Sequence, residues 1–587
     1  MAQDRGEKTP IATPPISRLP SPVFHDLADG AALVEYPGLS DDESNARAVA
    51  GARALERDSP EGLLSAVVGA RTLFLEFDPD KCPVERIASR LSTRESSRVA
   101  ASRRTLRIPV VYGEEAGSEL PELASAAGLA PHEFARRHAA AVYRVAFLGF
   151  APGFAYLAGL PPELRAPRLP TPRPRIAAGT VAIAGPYTGI YPGGTPGGWR
   201  SIGSTHVRLF DAAADPPTLL LPGDEVRFER VDSERLLPPL ERPAVPRPQG
   251  TTAAAALFRV LSPGVFTSVQ GAPRFGWTSY GVPPGGAMDR VALAQANAGL
   301  GNPEGAAALE MTLVGAELET LADTTICLSG SEAEAECNGK PVALEETIAV
   351  RRGDRLRVGR IRAGVRTYLA VVGGFAPAGR FGISQRLASG DLLFAPPVPP
   401  SPRPALRSSA PAFAKPASAD EARSLRSTRS PVSLSPRVSA SHRPRVPASP
   451  RPRVHDQVPS ATSETVVRVV LDPREVPFPK EGVATFLSST YRVSASSDRR
   501  GIRLEGRPIA LSRSPDIPPE GTPLGGVQVA RDGMPIVLGP DRPVTGGYAR
   551  IATVIQADFP LLAQRPAGGT LRFVAVPLAQ ALAARVG

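Results

Sequence analysis

Between residues 145 and 205 the chain places glycine, proline and aromatic residues in a dense, non-repeating order that includes GFAPGFAYL (149–157), TGIYP (188–192) and PGGWRSIG (196–203). Glycine is needed where a backbone takes positive φ or where another backbone comes close, and proline where a turn is pre-set. The stretch therefore reads as short strands joined by rigid turns. Such turns have two uses: they close hairpins in an all-β domain, and they hold backbone N–H groups toward a ligand.

At 587 residues the chain exceeds what one hydrophobic core usually serves, and 42% apolar residues supply a core for each of several domains. The net charge of +11 is not spread over the folded parts, because residues 401–460 alone hold 11 Lys/Arg against 3 Asp/Glu. The remainder is nearly balanced, so charge gives no reason to expect a nucleic-acid partner. Three cysteines, Cys82, Cys327 and Cys337, are too few and too scattered for a disulfide framework or a Cys-rich zinc site. The first twenty residues have no apolar signal core, and no apolar run is long enough to cross a bilayer. The expectation is a soluble cytoplasmic protein with no membrane contact and no metal centre.

Along the chain, residues 1–23 read as a disordered arm. Strands at 31–36, 63–68, 72–77 and 106–111 and helices at 40–57 and 83–91 follow in β-α-β-β-α-β order, the ferredoxin-like order, over 24–115. Ser40 and the acids after it mark the start of the first helix. A short helical region, 119–138, leads into a compact β-barrel over 116–237 with strands at 181–184, 206–210 and 225–229. A Pro/Arg-rich linker (238–256) precedes a second, mostly β half, split into lobes at 257–395 and 464–587. Its one clear helix, 289–300, opens on Asp289, an acid placed to favour the helix dipole. Between the lobes, 396–463 is so rich in Pro, Ser and Arg that disorder is expected, and its basic character reads as a solvated linker.

The blocks at 149–157, 188–192 and 196–203 resemble the signature of allophanate hydrolase subunit 1, the family of KipI and of the 5-oxoprolinase B subunit. A second set is similar to the family of KipA and of the 5-oxoprolinase C subunit, also called allophanate hydrolase subunit 2: SPGVFTSVQGAPRFGWTSYGVPPGGAMD (262–289), AQANAGLGN (294–302), LEMT (309–312), YRVSASSDRRGIRLEG (491–506), GGVQVARDGMPIVL (525–538) and DRPVTGGYARIATVIQAD (541–558). Together they imply a fusion of B-like and C-like halves and a mostly β, α+β protein with cyclophilin-like barrels. The activity implied is ATP-dependent opening of 5-oxoproline, with magnesium expected alongside ATP and a separate A-type subunit as partner. Two further readings stay open: a carboxyltransferase component of a biotin-dependent urea or amide carboxylase, and a KipI/KipA-like regulator of a sensor kinase. No Met-Lys pair marks a biotin attachment site, so the carboxyltransferase reading would need a separate carrier.

No phosphate-binding P-loop, no G-x-S-x-G elbow and no H-E-x-x-H pair occurs. What remains is polar and aromatic residues beside rigid turns. His138 matches a histidine of the B-family pattern and suits proton transfer, or else closes a helix C-terminus beside Arg136 and Arg137. Tyr156, Tyr191 and Trp199 could wall a flat lactam or amide substrate or simply pack, while Gly197 and Gly198 would let amides approach an oxyanion. In the C-like half the candidates are Gln270, Arg274, Asp289, Asp498, Arg499, Asp541, Arg542 and Tyr548, with Asp498 and Arg274 joining His138 as catalytic candidates. Each acid–arginine pair orients a guanidinium or pins two loops. Two charges usual in the family are missing: Ser204 stands where an arginine is usual, and Gly271 where the family has an aspartate.

Overall fold

The computed structural model describes residues 21–91, 104–232, 256–377, 381, 385–396, 464–474 and 477–585. Residues 1–20 of the expected N-terminal arm, 238–255 of the linker and nearly all of the Pro/Ser/Arg-rich insertion lie outside the described residues.

The first unit is a four-stranded antiparallel sheet in the order β1 (Val23–Ala28), β2 (Ala31–Glu35), β4 (Thr72–Phe77), β3 (Leu63–Val68). Helices α1 (Asp41–Arg57) and α2 (Val84–Leu91) cover one face. Ser40 caps α1 in a reciprocal box with Glu43. The opposite face, with Leu27, Leu33, Val67 and Phe74, packs on Val544 of the C-terminal half. One strand differs from expectation. The segment β5 (Thr105–Tyr112) does not complete this sheet; it pairs in parallel with β13 (Glu225–Arg230) and turns Ile108 and Val110 into a barrel core. The edge place beside β2 is taken by β1, a strand the sequence pattern does not mark.

That barrel closes through β5, β6 (Tyr143–Leu148), β7 (Ala155–Ala158), β9 (Thr180–Ala184), β10 (Tyr187–Ile190), β12 (Arg200–Ser204) and β13. A two-stranded ribbon, β8 (Arg173–Ile176) with β11 (Thr195–Gly197), projects from it. Helices α3 (Leu120–Ala126) and α4 (Pro131–Ala140) lie between β5 and β6. The strand expected at 206–210 is absent: that stretch keeps a single bridge, Phe210 to Thr218, and bonds onward through Leu209 O to Leu219 N. It returns as a loop because nothing in the barrel offers it a free edge.

Eleven strands, β14 to β24, between Ala256 and Phe394 form a sandwich of a six-stranded and a five-stranded sheet. Phe258, Leu318 and Leu356 from one sheet meet Leu309, Leu328 and Leu369 from the other. Helix α5 (Arg290–Gly299) packs Leu293 and Ala296 against Tyr368 and Ala370.

A second closed barrel ends the chain: β25 (Thr465–Leu471), β26 (Tyr491–Val493), β27 (Gly501–Glu505), β29 (Gly526–Val529), β30 (Pro535–Leu538), β32 (Arg550–Val554) and β33 (Thr570–Ala575), with a ribbon of β28 (Asp516–Gly521) and β31 (Thr545–Tyr548). Lettered a to g in chain order, the seven strands of each barrel close in one and the same cyclic order, a-f-d-e-c-b-g, and in each the a–g pair is parallel. Each also sends out its ribbon at the same two places, between c and d and between e and f. The two barrels are thus copies of one topology. Even the first residue of strand f corresponds: Arg200 is clamped by Glu119 and Arg550 by Asp472, each acid lying beyond its own strand a.

Candidate functional site

Three glycine-rich segments from distant parts of the chain meet where the barrels face each other. The first is the turn after β6. Phe150 takes φ 60 and Gly153 φ 78, and the turn closes through Gly149 N to Phe154 O at 3.1 Å. A phenylalanine in the left-handed region is uncommon and marks a backbone held by its surroundings. Those surroundings are the other two segments. A Cβ added at Gly149 would lie 2.5 Å from Thr545 Cβ, in the second ribbon, and closer still to its Oγ1. On the other side Gly153 N donates to Tyr280 O at 3.0 Å, and a Cβ at Gly281 would sit 2.6 Å from Ala151 O.

The loop carrying Tyr280 and Gly281, residues 271–289, is a clasp between the halves. It folds on itself through Arg274 N to Pro284 O (2.9 Å) and Ala287 N to Gly271 O (3.0 Å). Ser65 Oγ of the first sheet bonds Thr278 Oγ1 at 2.6 Å, and Gly285 N donates to Pro540 O at 3.2 Å. At Gly271 a side chain would press on Gly305 O at 2.9 Å, so the glycine that replaces the family's aspartate fits a loop packed backbone to backbone.

Behind the clasp lies a buried charge network. Arg499 donates to both oxygens of Asp541 (2.9 and 3.2 Å), to Gly286 O (2.6 Å) and to Glu310. Glu310, fully buried, also accepts from Met288 N at 2.8 Å and from the Tyr368 hydroxyl at 2.7 Å. Burial alone would raise its carboxyl, but the Arg499 and Arg366 guanidiniums outweigh it and hold the group below the usual range. Asp289 caps α5, its Oδ1 accepting from Val291 N and Ala292 N at 3.0 Å, and its Oδ2 accepts from Gln564 at 2.8 Å. Glu310, Tyr368 and Gln564 were not singled out from sequence, although a lone acid inside the apolar run AAALEMT is itself the sign of a paired buried charge.

The expected aromatic wall exists but faces inward. Tyr156 stacks on Phe147 at 4.2 Å and meets Trp199 edge-on at 5.3 Å, while Tyr191 meets Phe154 at 5.2 Å; all three candidates are buried. Gly197 is a packing glycine, with Tyr191 pressed onto it, and Gly198 O accepts from Leu169 N at 2.8 Å. Half-exposed Phe150 lies in front of this cluster. Arg168, also half-exposed, reaches over Gly547 of the second ribbon, and among the described residues no carboxylate lies within 4 Å of it.

The remaining candidates separate. His138 is fully buried inside the first barrel, stacked on Phe228 at 4.9 Å, with Nδ1 2.7 Å from the Tyr112 hydroxyl and Nε2 3.0 Å from Thr188 Oγ1. Desolvation lowers its pKa to about 3, so the ring is neutral at pH 7 and occupies a core position away from the clasp. Asp498 is largely exposed and accepts from Arg500 side chain and backbone and from Gly501 N, closing its own turn. Arg542 is buried against Glu76 of β4 and Thr522 O, tying the second barrel to the first sheet. Gln270 is fully buried and donates to Ser268 Oγ. Tyr548 is half-buried on the second ribbon, with its carbonyl accepting from Gln528. Arg274 stands apart: its Nη1 is buried without a hydrogen-bond partner among the described residues, and burial lowers its pKa.

One pH signature follows from His138. A base with its folded pKa depressed to about 3 contributes stability that is fully present above its unfolded pKa, near 6.5, and is lost as pH falls toward 3. Melting scans of wild type and His138→Asn at pH 7.5, 6 and 5 should show the wild type losing stability with a one-proton slope, about 1.4 kcal/mol per pH unit, that the variant lacks.

Comparison with known proteins decides the family. The model for "Carboxyltransferase domain, subdomain C and D" matches residues 22–220, and that for "Carboxyltransferase domain, subdomain A and B" matches 280–392 and 406–575. The N-terminal half is 35% identical to the 5-oxoprolinase B subunit of Bacillus subtilis (strain 168) over 224 residues, 36% of this chain and 93% of that protein. The C-terminal half is 30% identical to the 5-oxoprolinase C subunit of Escherichia coli (strain K12) over 333 residues, 56% of this chain and 94% of that one. This chain is a fusion of the families of the 5-oxoprolinase B and C subunits. The match to the B subunit of Escherichia coli O157:H7 is 48% identical over 134 residues, 23% of the fused chain, and spans 62% of that relative's length. The urea amidolyase of Lachancea kluyveri is 30% identical over 348 residues, 54% of the fused chain and 17% of that protein. The solved structure of TTHA0988 is 31% identical with a TM-score of 0.74 and covers 93% of the fused chain and 99% of its own. No helix among the described residues is long and apolar enough to cross a membrane.

Proposed function

We propose that the fused chain supplies the B and C components of an ATP-dependent 5-oxoprolinase, which hydrolyses 5-oxo-L-proline to L-glutamate together with a separate A subunit. The observation that carries this reading is Arg274. A guanidinium partly withdrawn from water and, among the described residues, without a counter-charge, on the loop that clasps the two halves, suits a substrate that brings its own carboxylate. Arg274 holds that carboxylate, and the half-exposed Phe150 and Arg168 line the approach from the barrel side. Tyr156, Tyr191 and Trp199 stiffen the turn from behind, and the Arg499–Glu310–Asp541 network fixes the clasp.

Lactam opening is coupled to ATP, a co-substrate that activates the amide oxygen for attack by water. Magnesium would arrive on the triphosphate, since among the described residues no three His, Cys, Asp or Glu converge to hold a metal ion. Asp541 and Glu310 are both committed to Arg499, so their part is to position loops rather than to exchange protons with substrate.

The purified chain alone should release no ADP in response to 5-oxoproline and should gain that activity when an A-type subunit is added. Robust turnover by the single chain overturns the three-part reading. A second reading, carboxyl transfer from a biotin carrier to urea or an amide, is favoured by the carboxyltransferase description of both family models. Transfer of a carboxyl group from a carboxybiotinylated carrier without any A-type subunit would decide for it.

A further inference from the structure

The shared topology of the barrels exposes a difference in how their ribbons are covered. In the second barrel the β28–β31 ribbon lies on the first sheet: Ala70 N donates to Pro519 O at 2.7 Å, Gly521 packs on the Phe74 ring, and Glu520 is clamped by Arg474 and Arg550. The same ribbon of the first barrel, β8–β11, has no such cover within the described residues. Pro172, Pro174, Arg175, Ala177, Ala178 and Pro196 along it are exposed. A two-stranded ribbon is marginal in water on its own, and its twin is held by a protein surface.

We propose that the outer face of the β8–β11 ribbon is the docking surface for a separate protein subunit that presents an acidic face. This rests on the reading above that a second protein completes the enzyme. Charge argues for the occupant. Residues 165–178 and 193–199 contain no Asp or Glu, and apart from Arg168, which reaches over the second ribbon, they carry Arg165, Arg173 and Arg175. Among the described residues only Arg173 of these three has a carboxylate within 4 Å, Glu119 at 2.9 Å. A second copy of this chain is a poor occupant, since a symmetric contact would set one arginine-rich ribbon against another. Proline at 174 on β8 and at 196 on β11 removes N–H donors from the ribbon edges, so the partner docks on the face, guided by charge, and does not extend the sheet.

The test uses the full chain and the A-type subunit from the same genome. Hydrogen exchange of the wild-type chain, alone and in the complex, should show new protection in peptides covering 170–178 and 193–198. Arg165→Glu with Arg175→Glu should weaken association by at least about tenfold with an unchanged melting temperature, and added salt should weaken the wild type more than the variant. Unaltered affinity of the double variant, or protection that spares the ribbon, overturns the docking surface while leaving the three-part enzyme intact. Failure of the wild type to form any complex overturns the three-part reading and this proposal with it. Protection of the ribbon by ATP alone, or a dimer of this chain sealed through it, reassigns the arginines and also overturns the proposal.

Discussion

Gly149→Ala should cut turnover of the reconstituted enzyme by about 10²-fold, the scale expected when a reacting group is displaced by about 1 Å. The added methyl would lie 2.5 Å from Thr545 Cβ and 2.6 Å from its Cγ2, and neither neighbour can give way. Thr545 is buried on the second ribbon, and Gly149 starts the turn whose other side rests on Gly281. The barrels must therefore part, or the turn must swing away from the 271–289 clasp. Each barrel keeps its own core, so circular dichroism should be unchanged. Thr545→Gly removes the clash, so the double variant should recover most of the lost activity even though Thr545→Gly alone costs about 1 kcal/mol in the strand. Full activity of Gly149→Ala, or a double variant that folds and stays inactive, would show that the contact between the halves does not govern the site.

The interlocking of these segments explains which parts of the protein could be read from its sequence. Capping signals are local, so Ser40 and Asp289 placed the starts of α1 and α5 to within a residue. Strand existence was legible only in part: 31–36, 63–68 and 72–77 were marked, whereas β1 was not and the strand expected at 206–210 is a loop. Strand membership was not legible: whether 105–112 closes the first sheet or the barrel depends on its partner β13, more than a hundred residues away, and on nothing local. The glycine-rich blocks announced rigid turns, yet sequence alone could not show that Gly149 makes room for another half of the chain and not for a ligand. The histidine reading fails to separate function from packing for a related reason. An imidazole suits proton transfer only if water or substrate reaches it, and His138 has its two nitrogens taken by Tyr112 and Thr188 inside a sealed barrel. Arginine–acid pairs were visible as SDR (497–499) and DR (541–542), but the partners crossed: Arg499 pairs Asp541 and Glu310, and Arg542 pairs Glu76.

Arg499→Leu is expected to be the most destabilising of the single substitutions considered, by about 3 kcal/mol, because it removes the nearer of the two guanidiniums that offset the fully buried Glu310 carboxylate and leaves only Arg366, at 3.7 Å. It also frees Asp541 and Gly286, so the clasp loosens at its anchored end. The pH dependence identifies the cause. In the wild type the Glu310 carboxyl is held below its ordinary value, so its contribution is present above the unfolded pKa, about 4.3, and is lost as pH falls through the folded one. In the variant burial is opposed by Arg366 alone, so the Glu310 pKa rises, and acid relieves the under-compensated charge by protonating it. The melting temperatures of the two proteins should therefore converge between pH 7.5 and 5. Glu310→Gln placed on top of Arg499→Leu should recover much of the loss at pH 7.5, since an amide keeps the hydrogen bond from Met288 N without the charge. Arg499→Lys should recover less, because a single ammonium cannot span Asp541, Glu310 and Gly286 O together as the planar fork does. A gap in melting temperature that stays constant with pH, or a lysine variant as stable as wild type, would mean that packing and not the under-compensated carboxylate sets the cost.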